Sequence, residues 1–392
     1  MGFFEVSVKA YLILLVGVVS FVVGMCIPQC PRNIYMDNQI IIRSVDKLFT
    51  NKIVLLLLIS LSAYFLSFAQ EALLHSAISG KAVRVTTESD LYIQNTRFIS
   101  IYNFVGYPAF NFLMTIIPFA LLNYKHTYLI PTLISLVFIA SFIIINAGRV
   151  MFVIILLYLL IIWVVNNGNR NIKLTFKKIA IGSSMGIIAL LGMSLVTQFR
   201  DYGNMSIDND DVFSESVEDT QQRVLSYSVL PIVLFDRALN EDYMSKFDGP
   251  LLGKATFAGP ELYIGNTIKN LFSPTYQTGN DIVIDYIQSN FFSVTPTMDA
   301  NFAYTGIFFH YIDFGLLGVV FIPLLFGYIY RKIIIAFYAR RNLALLALIG
   351  FMYFMTMYSI FCCYLIKPWV TFYIPILLYL GYSKQRRALI SK

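Results

Sequence analysis

Long uninterrupted runs of apolar residues, separated by polar connections, form the main pattern along this chain. Most runs are roughly 17–25 residues long, which is the length that an α-helix needs to cross the hydrocarbon core of a bilayer. Backbone polar groups find no water there, so the runs are expected to be helical. The strict alternation of a membrane β-barrel is absent from the sequence. The pattern predicts an all-α polytopic membrane protein with about nine transmembrane helices, in a range of roughly eight to eleven. The predicted spans are residues 11–27, 53–70, 102–122, 127–146, 150–166, 179–197, 315–330, 342–365 and 368–382.

The short connections between these runs are rich in lysine and arginine. Residues 167–178 and 331–341 each contain four basic residues and no acidic one. Basic residues concentrate in cytoplasmic loops, so simple alternation of the spans places both connections and the tail at 383–392 in the cytoplasm. The same alternation places the N-terminus outside, where Lys9 is unfavourable. A re-entrant or interfacial segment is therefore the alternative interpretation of the first run.

One connection, at residues 198–302, is far longer than the others, and alternation places it outside the cytoplasm. It contains 15 acidic and 6 basic residues, a net charge of −9, although the whole chain has a net charge of +7. The positive excess therefore belongs to the membrane-flanking segments, where anionic headgroups account for it without nucleic acid as a partner. The predicted organisation is transmembrane helices 1–6 within 1–197, the loop at 198–302, helices 7–9 within 303–382, and a cytoplasmic tail at 383–392.

The loop is too long to be a plain connection. An apolar stretch at 223–239 is too short and too charged at its ends for a span, and it predicts a helix at or near the membrane surface. The rest of the loop, with its glycines and Pro250, Pro260, Pro274 and Pro296, is expected to be ordered but irregular.

Composition supports a membrane protein and excludes several classes of chemistry. Apolar residues make up 58% of the chain and charged residues 13%, against roughly half and a quarter in soluble domains. The sequence contains no phosphate-binding loop, dinucleotide fingerprint or paired-cysteine zinc motif. Its three histidines and four cysteines give no metal-ligand spacing. We therefore expect no nucleotide hydrolysis, no cofactor and no metal.

Arg149 is the one charged residue between positions 127 and 165. It lies in the turn Asn146-Ala147-Gly148-Arg149, which is so tight that Arg149 must lie at or just below the outer interface. An arginine in the middle of a bilayer costs roughly 3 kcal/mol on insertion scales, which makes it a functional candidate. The structural alternative is an arginine that reaches the headgroups or pairs with an acidic loop residue.

His310 and Asp313 are the acid–base candidates of the next region. They are spaced i, i+3 and share a face if the segment is helical. Asp313 directly precedes Phe314-Gly315, where the seventh span is predicted to start. A helix N-terminal cap is the structural alternative for Asp313, and a hydrogen-bonded interfacial histidine is the alternative for His310.

The loop contributes three arginines and three tyrosines to the candidate set. Arg200, Arg223 and Arg237 could bind a phosphate-bearing headgroup, because guanidinium matches phosphate bidentately. In so acidic a loop, pairing with carboxylates is the alternative. Tyr263, Tyr276 and Tyr286 are weaker candidates for stacking on sugars, with packing as their alternative.

These features together resemble the bacterial O-antigen and capsular repeat-unit polymerases, the Wzy family. The resemblance covers most of the chain and depends on three features in a fixed order. They are Gly148-Arg149 at an outer turn, the large loop at 198–302, and a tyrosine-rich run from Tyr304 into Asp313-Phe314-Gly315-Leu316-Leu317-Gly318.

The resemblance implies an enzyme of the bacterial cytoplasmic (inner) membrane with its large loop outside. Such enzymes join oligosaccharide units carried on undecaprenyl diphosphate, without a nucleotide sugar. Arg149 and the three loop arginines would then bind the diphosphate leaving group, and Asp313 and His310 are candidate general bases, with a loop carboxylate as a competitor. Membrane lipids are implied partners, and a polysaccharide chain-length regulator is left open as another.

Three other functions compete with this interpretation. An O-antigen ligase shares the loop and the arginines but is expected to have a histidine in the large loop, and residues 198–302 contain none. A polysaccharide flippase or other transporter usually shows similar halves, which this sequence lacks. A membrane scaffold without catalytic activity is the third.

Overall fold

The computed structural model describes residues 5–29, 39–79, 96–122, 125–146, 150–167, 229–240, 247, 249–273, 275–289, 292–295, 298–300, 304–360 and 362–390. Most of these residues are helical. The helices are α1 Val8–Cys26, α2 Gln39–Phe49, α3 Lys52–Ser79, α4 Thr96–Ile101, α5 Tyr107–Leu122, α6 Leu129–Asn146, α7 Val150–Asn167, α8 229–240, α9 Ala258–Leu271, α10 Gly279–Ser289, α11 Gly306–Arg340, α12 Leu343–Tyr358 and α13 Val370–Ile390. The described strands are β1 Phe292–Thr295 and β2 Met298–Ala300, which pair antiparallel.

Five of the described helical segments are long and apolar enough to cross a membrane. They are Val8–Cys26, Lys52–Leu74, Arg97–Leu121, His126–Asn146 and Gly306–Arg340, and Leu343–Tyr358 and Val370–Ser383 are shorter apolar helices. The protein is therefore a helical, multi-pass membrane protein, as the apolar runs predict. The predicted span at 179–197 lies outside the described residues.

The chain divides into two compact units. Unit 1 comprises residues 1–34, 224–340 and 351–392, and unit 2 comprises 35–223 and 341–350. Unit 1 contains α1, the described part of the large loop and α11. Unit 2 contains the helices from α2 to α7.

Unit 2 is built around a cluster of aromatic rings. The ring of Phe65 on α3 packs against those of Phe98, Tyr102, Phe138 and Phe142, with centroids 5.2–6.4 Å apart. A π-helical turn at Tyr102–Gly106 joins α4 to α5. Aromatic rings bury large apolar areas in offset or edge-to-face pairs, which accounts for the tight packing of these helices.

In unit 1, α1 lies along α11 through small residues. A Cβ added at Gly24 would lie 2.0 Å from the Leu324 carbonyl oxygen, and one added at Gly327 would lie 2.1 Å from the Phe21 carbonyl oxygen. Glycines let two membrane helices approach to backbone contact. The first apolar run is therefore a 19-residue helix packed lengthwise on a longer one.

The described part of the loop forms a folded core together with the start of α11. Leu230, Leu234 and Ala238 of α8 are buried in one cluster with residues from α10, β1 and α11, among them Val283, Val294, Tyr304, Phe308 and Ile312. The first residues of α1, Ala10 and Ile13, belong to the same cluster. The start of α1 and the loop therefore lie at the same end of unit 1.

The prediction that the loop beyond residue 240 is irregular is wrong for two segments. Pro260 is the third residue of α9, a position in the first turn where the missing N–H breaks no helical hydrogen bond. Thr278 and Asp281 form a reciprocal cap at the start of α10, where the Asp281 N–H donates to Thr278 Oγ1 at 3.2 Å and the Thr278 N–H donates to Asp281 Oδ2 at 3.3 Å.

Candidate functional site

The site is built on a break in α11. Phe314 (φ −141°, ψ 15°) and Gly315 (φ 61°, ψ −145°) have non-helical backbone angles inside an otherwise continuous helix. The angles of Gly315 lie in a region that is essentially open only to glycine. The break therefore falls at Phe314-Gly315, where the seventh span was predicted to begin.

The break leaves two backbone carbonyls without their helical partners, and the loop supplies new ones. The Leu251 N–H donates to the Ile312 carbonyl oxygen at 3.1 Å, and the Leu252 N–H donates to the Asp313 carbonyl oxygen at 3.2 Å. Buried carbonyls at a helix end need such partners. Segment 251–257 of the loop is thus docked on the break by main-chain hydrogen bonds.

The Asp313 side chain completes the attachment of this segment. The Ala255 N–H donates to Oδ1 at 2.9 Å and the Thr256 N–H donates to Oδ2 at 2.6 Å. Asp313 is fully buried. Its carboxylate lies at the free N–H groups of a helical turn that leads into α9, the position where a negative charge is most stabilised. Asp313 therefore does cap a helical segment, but one in the loop.

His310 lies one helical turn before Asp313 and contacts Thr256 of the same loop segment. A hydrogen bond of 3.0 Å joins His310 Nδ1 to Thr256 Oγ1, and the His310 ring packs edge-on to Phe326 at 5.9 Å. His310 is buried. The i, i+3 spacing thus brings both side chains to Thr256, which was not among the predicted site residues.

A second glycine of the motif allows a close backbone approach. A Cβ added at Gly318 would lie 2.1 Å from the His310 carbonyl oxygen, so no larger residue fits without a shift. The motif Asp313-Phe314-Gly315-Leu316-Leu317-Gly318 therefore has a physical explanation in three parts: Asp313 binds the loop, Gly315 makes the break, and Gly318 packs against His310.

A second polar cluster lies between α9 and α10, next to the docked segment. The Tyr276 hydroxyl donates to Glu261 Oε1 at 2.7 Å, and the Gly279 N–H donates to Glu261 Oε2 at 2.8 Å. The Lys254 ammonium lies 4.3 Å from the centroid of the Tyr276 ring. Burial, together with the negative charge of Glu261, raises the pKa of Tyr276 to about 12, so the phenol stays protonated at physiological pH.

Two of the three candidate tyrosines are held in aromatic packing. Tyr286 is buried and its ring stacks on Phe308 at 6.1 Å. Tyr263 meets the ring of Phe372 edge-on at 5.0 Å, and burial raises the pKa of its hydroxyl. These contacts are those of packing residues, the alternative considered for the loop tyrosines.

The predicted arginines are described only in part. Arg237 is half-buried on α8, beside Asp236, whose carboxylate accepts a hydrogen bond from the Ser7 hydroxyl at the start of α1. Arg149, Arg200 and Arg223 lie outside the described residues. Whether these arginines gather around one phosphate therefore stays a prediction.

Sequence reasoning missed segment 251–257 itself. The sequence does contain a usable signal, the two glycines in Gly249-Pro250-Leu251-Leu252-Gly253-Lys254. In the structure both have positive φ, 114° at Gly249 and 94° at Gly253. Such a glycine pair predicts a tight turn, but not the helix that the turn would bind.

Comparison of the chain with protein-family models, with curated proteins and with solved structures finds no match.

Proposed function

We propose that this protein polymerises oligosaccharide repeat units carried on undecaprenyl diphosphate, for an O-antigen or a capsular polysaccharide. A hydroxyl of the next lipid-linked unit attacks the anomeric carbon that joins the growing chain to its diphosphate. The carbon–oxygen bond to the diphosphate breaks, its electron pair leaves with undecaprenyl diphosphate, and a general base accepts the hydroxyl proton. No nucleotide takes part, in agreement with the absence of nucleotide motifs from the sequence.

The observation that carries this proposal is the attachment of the large loop to the broken helix. The proposal requires the loop to be held beside the membrane-spanning helices, because the diphosphate of a lipid-linked substrate lies at the membrane surface. Here Asp313, on which the resemblance depends, binds the loop with its side chain and its carbonyl. Gly315 of the same motif makes the break at which the loop docks.

The proposed topology has about nine spans, with the loop and the N-terminus on the outer side of the bacterial inner membrane. The arrangement of unit 1 supports it, because the start of α1 and the loop share one core. Arg149, Arg200, Arg223 and Arg237 are proposed to bind the diphosphate, where fixed cations stabilise the negative charge that develops on the leaving group.

Asp313 is proposed to have a positioning role in the conformation described. A general base must come within hydrogen-bond distance of the substrate proton, and Asp313 is fully buried with both oxygens accepting from the loop. Direct proton transfer to Asp313 or His310 would require segment 251–257 to move away. A carboxylate elsewhere in the loop is the competing base.

Deletion of the gene in its native strain, followed by gel electrophoresis of surface polysaccharide, tests the proposal. We expect acceptor molecules with a single repeat unit and no ladder, and recovery of the ladder on complementation with the wild-type chain. Arg149→Ala should fail to restore the ladder at a normal protein level.

The alternative functions predict different gels. Polymer that accumulates without attachment to its acceptor would identify a ligase. Complete absence of single units from the surface would identify a transporter. An unchanged ladder would contradict all three assignments.

A further inference from the structure

Lys254 is held rigidly at the edge of the docked segment. Its N–H donates to the Leu251 carbonyl oxygen at 3.1 Å, and a Cβ added at Gly279 would lie 2.1 Å from the Lys254 carbonyl oxygen. Its next two neighbours, Ala255 and Thr256, are the residues that bind Asp313. The backbone that carries this side chain is therefore fixed on three sides.

The charge of Lys254 is oriented by an aromatic ring and not by an acid. Its ammonium lies 4.3 Å from the centroid of Tyr276. Among the residues that the structure describes, no carboxylate forms an ion pair with it, and the ion pair found there joins Lys125 to Asp46. In a loop with a net charge of −9, a half-buried cation that has no acidic partner among the described residues can offer its charge to a ligand.

Exposed apolar side chains lie on both sides of Lys254 in the docked segment and on the adjoining part of α11. Leu252 is 75% exposed and has a positive φ of 52°. Phe257 and Phe314 are also exposed. The ring of Phe314 lies 3.6 Å from the position of a Cβ at Gly253. The exposed side chains continue along α11 with Leu316, Leu317 and Phe321, on a helix that is apolar enough to cross the membrane.

We propose that Lys254 binds the diphosphate of an isoprenoid-linked substrate whose lipid chain lies against Leu252, Phe257 and Phe314. The inference rests on the proposed function, because it names a binding residue for the same substrate. A cation beside exposed apolar side chains matches an amphipathic ligand with an anionic head. The ring of Tyr276 fixes the ammonium without neutralising it, since its attraction is to the face of the ring and leaves the donors free.

Binding of undecaprenyl diphosphate to the purified full-length protein in detergent tests the inference. Lys254→Met removes the charge and keeps much of the side-chain length. Lys269→Met makes the same change at an exposed lysine on α9 and is the matched control. We expect Lys254→Met to weaken binding about tenfold or more, as for loss of one hydrogen bond to a charged group, and Lys269→Met to leave it unchanged. Lys254→Arg should keep most of the affinity.

Two further ligands identify what the site recognises. Undecaprenol, which lacks phosphate, should bind more weakly and equally to wild type and Lys254→Met. Inorganic diphosphate should compete poorly, and competition as strong as that of the lipid would overturn the lipid as the source of the anion. Undiminished binding of undecaprenyl diphosphate by a folded Lys254→Met would overturn the role of Lys254.

Failure of the proposed function gives a different result. If wild type binds the lipid diphosphate through Lys254 but forms no polymer from lipid-linked units, the binding site stands and the polymerase does not.

Discussion

Two buried serines of unit 2 and the buried acid–base pair of unit 1 find their hydrogen-bond partners in different ways. In unit 2 the hydroxyls of Ser135 and Ser141 donate to carbonyl oxygens one turn back, at 2.7 Å from Pro131 and 2.8 Å from Val137. In unit 1, Asp313 and His310 bind the backbone and side chain of residues more than fifty positions away. Unit 2 also has long-range side-chain bonds, from the Tyr158 hydroxyl to Asn111 Oδ1 and from the Ser62 hydroxyl to the Ile134 carbonyl oxygen. These two bonds do not hold backbone N–H groups of another segment, as Asp313 does in unit 1.

This difference distinguishes residues that only support the fold from residues of the candidate site. A hydroxyl that bonds within its own helix can be replaced with little effect on the neighbouring helices. A buried carboxylate that holds two N–H groups of another segment cannot, because those donors would be left without partners. Substitution of a side chain that holds backbone N–H groups of a distant segment should therefore affect both folding and activity.

Replacement of Asp313 by alanine should have the largest effect. It leaves two buried N–H groups without an acceptor, at about 1–3 kcal/mol each, so we expect a destabilisation of about 2–6 kcal/mol and loss of the polysaccharide ladder. Asp313→Asn retains one acceptor oxygen and should be intermediate. Apparent melting temperature in detergent and a complementation gel measure the two effects, and a fully active, fully stable Asp313→Ala would contradict the attachment.

Replacement of Gly24 by leucine should separate α1 from α11. Even a Cβ at this position lies 2.0 Å from a backbone oxygen that cannot move aside, and overpacking typically costs about 1–3 kcal/mol. Val23→Leu, at a neighbouring exposed position, is the control. Equal melting temperatures for the two variants would show that the crossing is not as close as described.

Replacement of Gly315 by alanine should weaken the break by about 1–3 kcal/mol, because its φ of 61° and ψ of −145° strain any residue with a side chain. Space is not the obstacle, since nothing lies within 4 Å of the added Cβ. A lowered melting temperature together with reduced polymer length is the expected result. An unaffected protein would mean that the break forms without help from glycine.

Replacement of Ser135 by alanine should have the smallest effect, less than about 1 kcal/mol, since its hydroxyl back-bonds within α6 and the helix keeps its own hydrogen bonds. The ladder should be unchanged. A loss as large as that of Asp313→Ala would remove the distinction between the two units.

The sequence predicts those features of the fold and the site that depend on residues close together in the chain. Apolar runs of span length predict helices. Phe314-Gly315 was predicted to start a span, whereas the structure has a break there inside a helix that begins at Gly306. The i, i+3 spacing of His310 and Asp313 predicts that they share a face, and both meet Thr256.

The partner of the break could not be predicted. Segment 251–257 binds through its backbone, and backbone donors leave no signature in residue types. Asp313 was expected, as one alternative, to cap its own span, but the free N–H groups nearest to its carboxylate belong to the turn before α9. Lys254 was not predicted either, because its ring partner Tyr276 lies 22 positions further along the chain.

Polymerisation by the purified protein is the most direct test of the proposed function. The wild-type chain, reconstituted in vesicles with an undecaprenyl-diphosphate-linked repeat unit as the only carbohydrate, should produce oligomers of two, three and more units and release one undecaprenyl diphosphate for each bond formed. Recovery of the single unit alone, under conditions where the protein binds the lipid, would contradict the assignment.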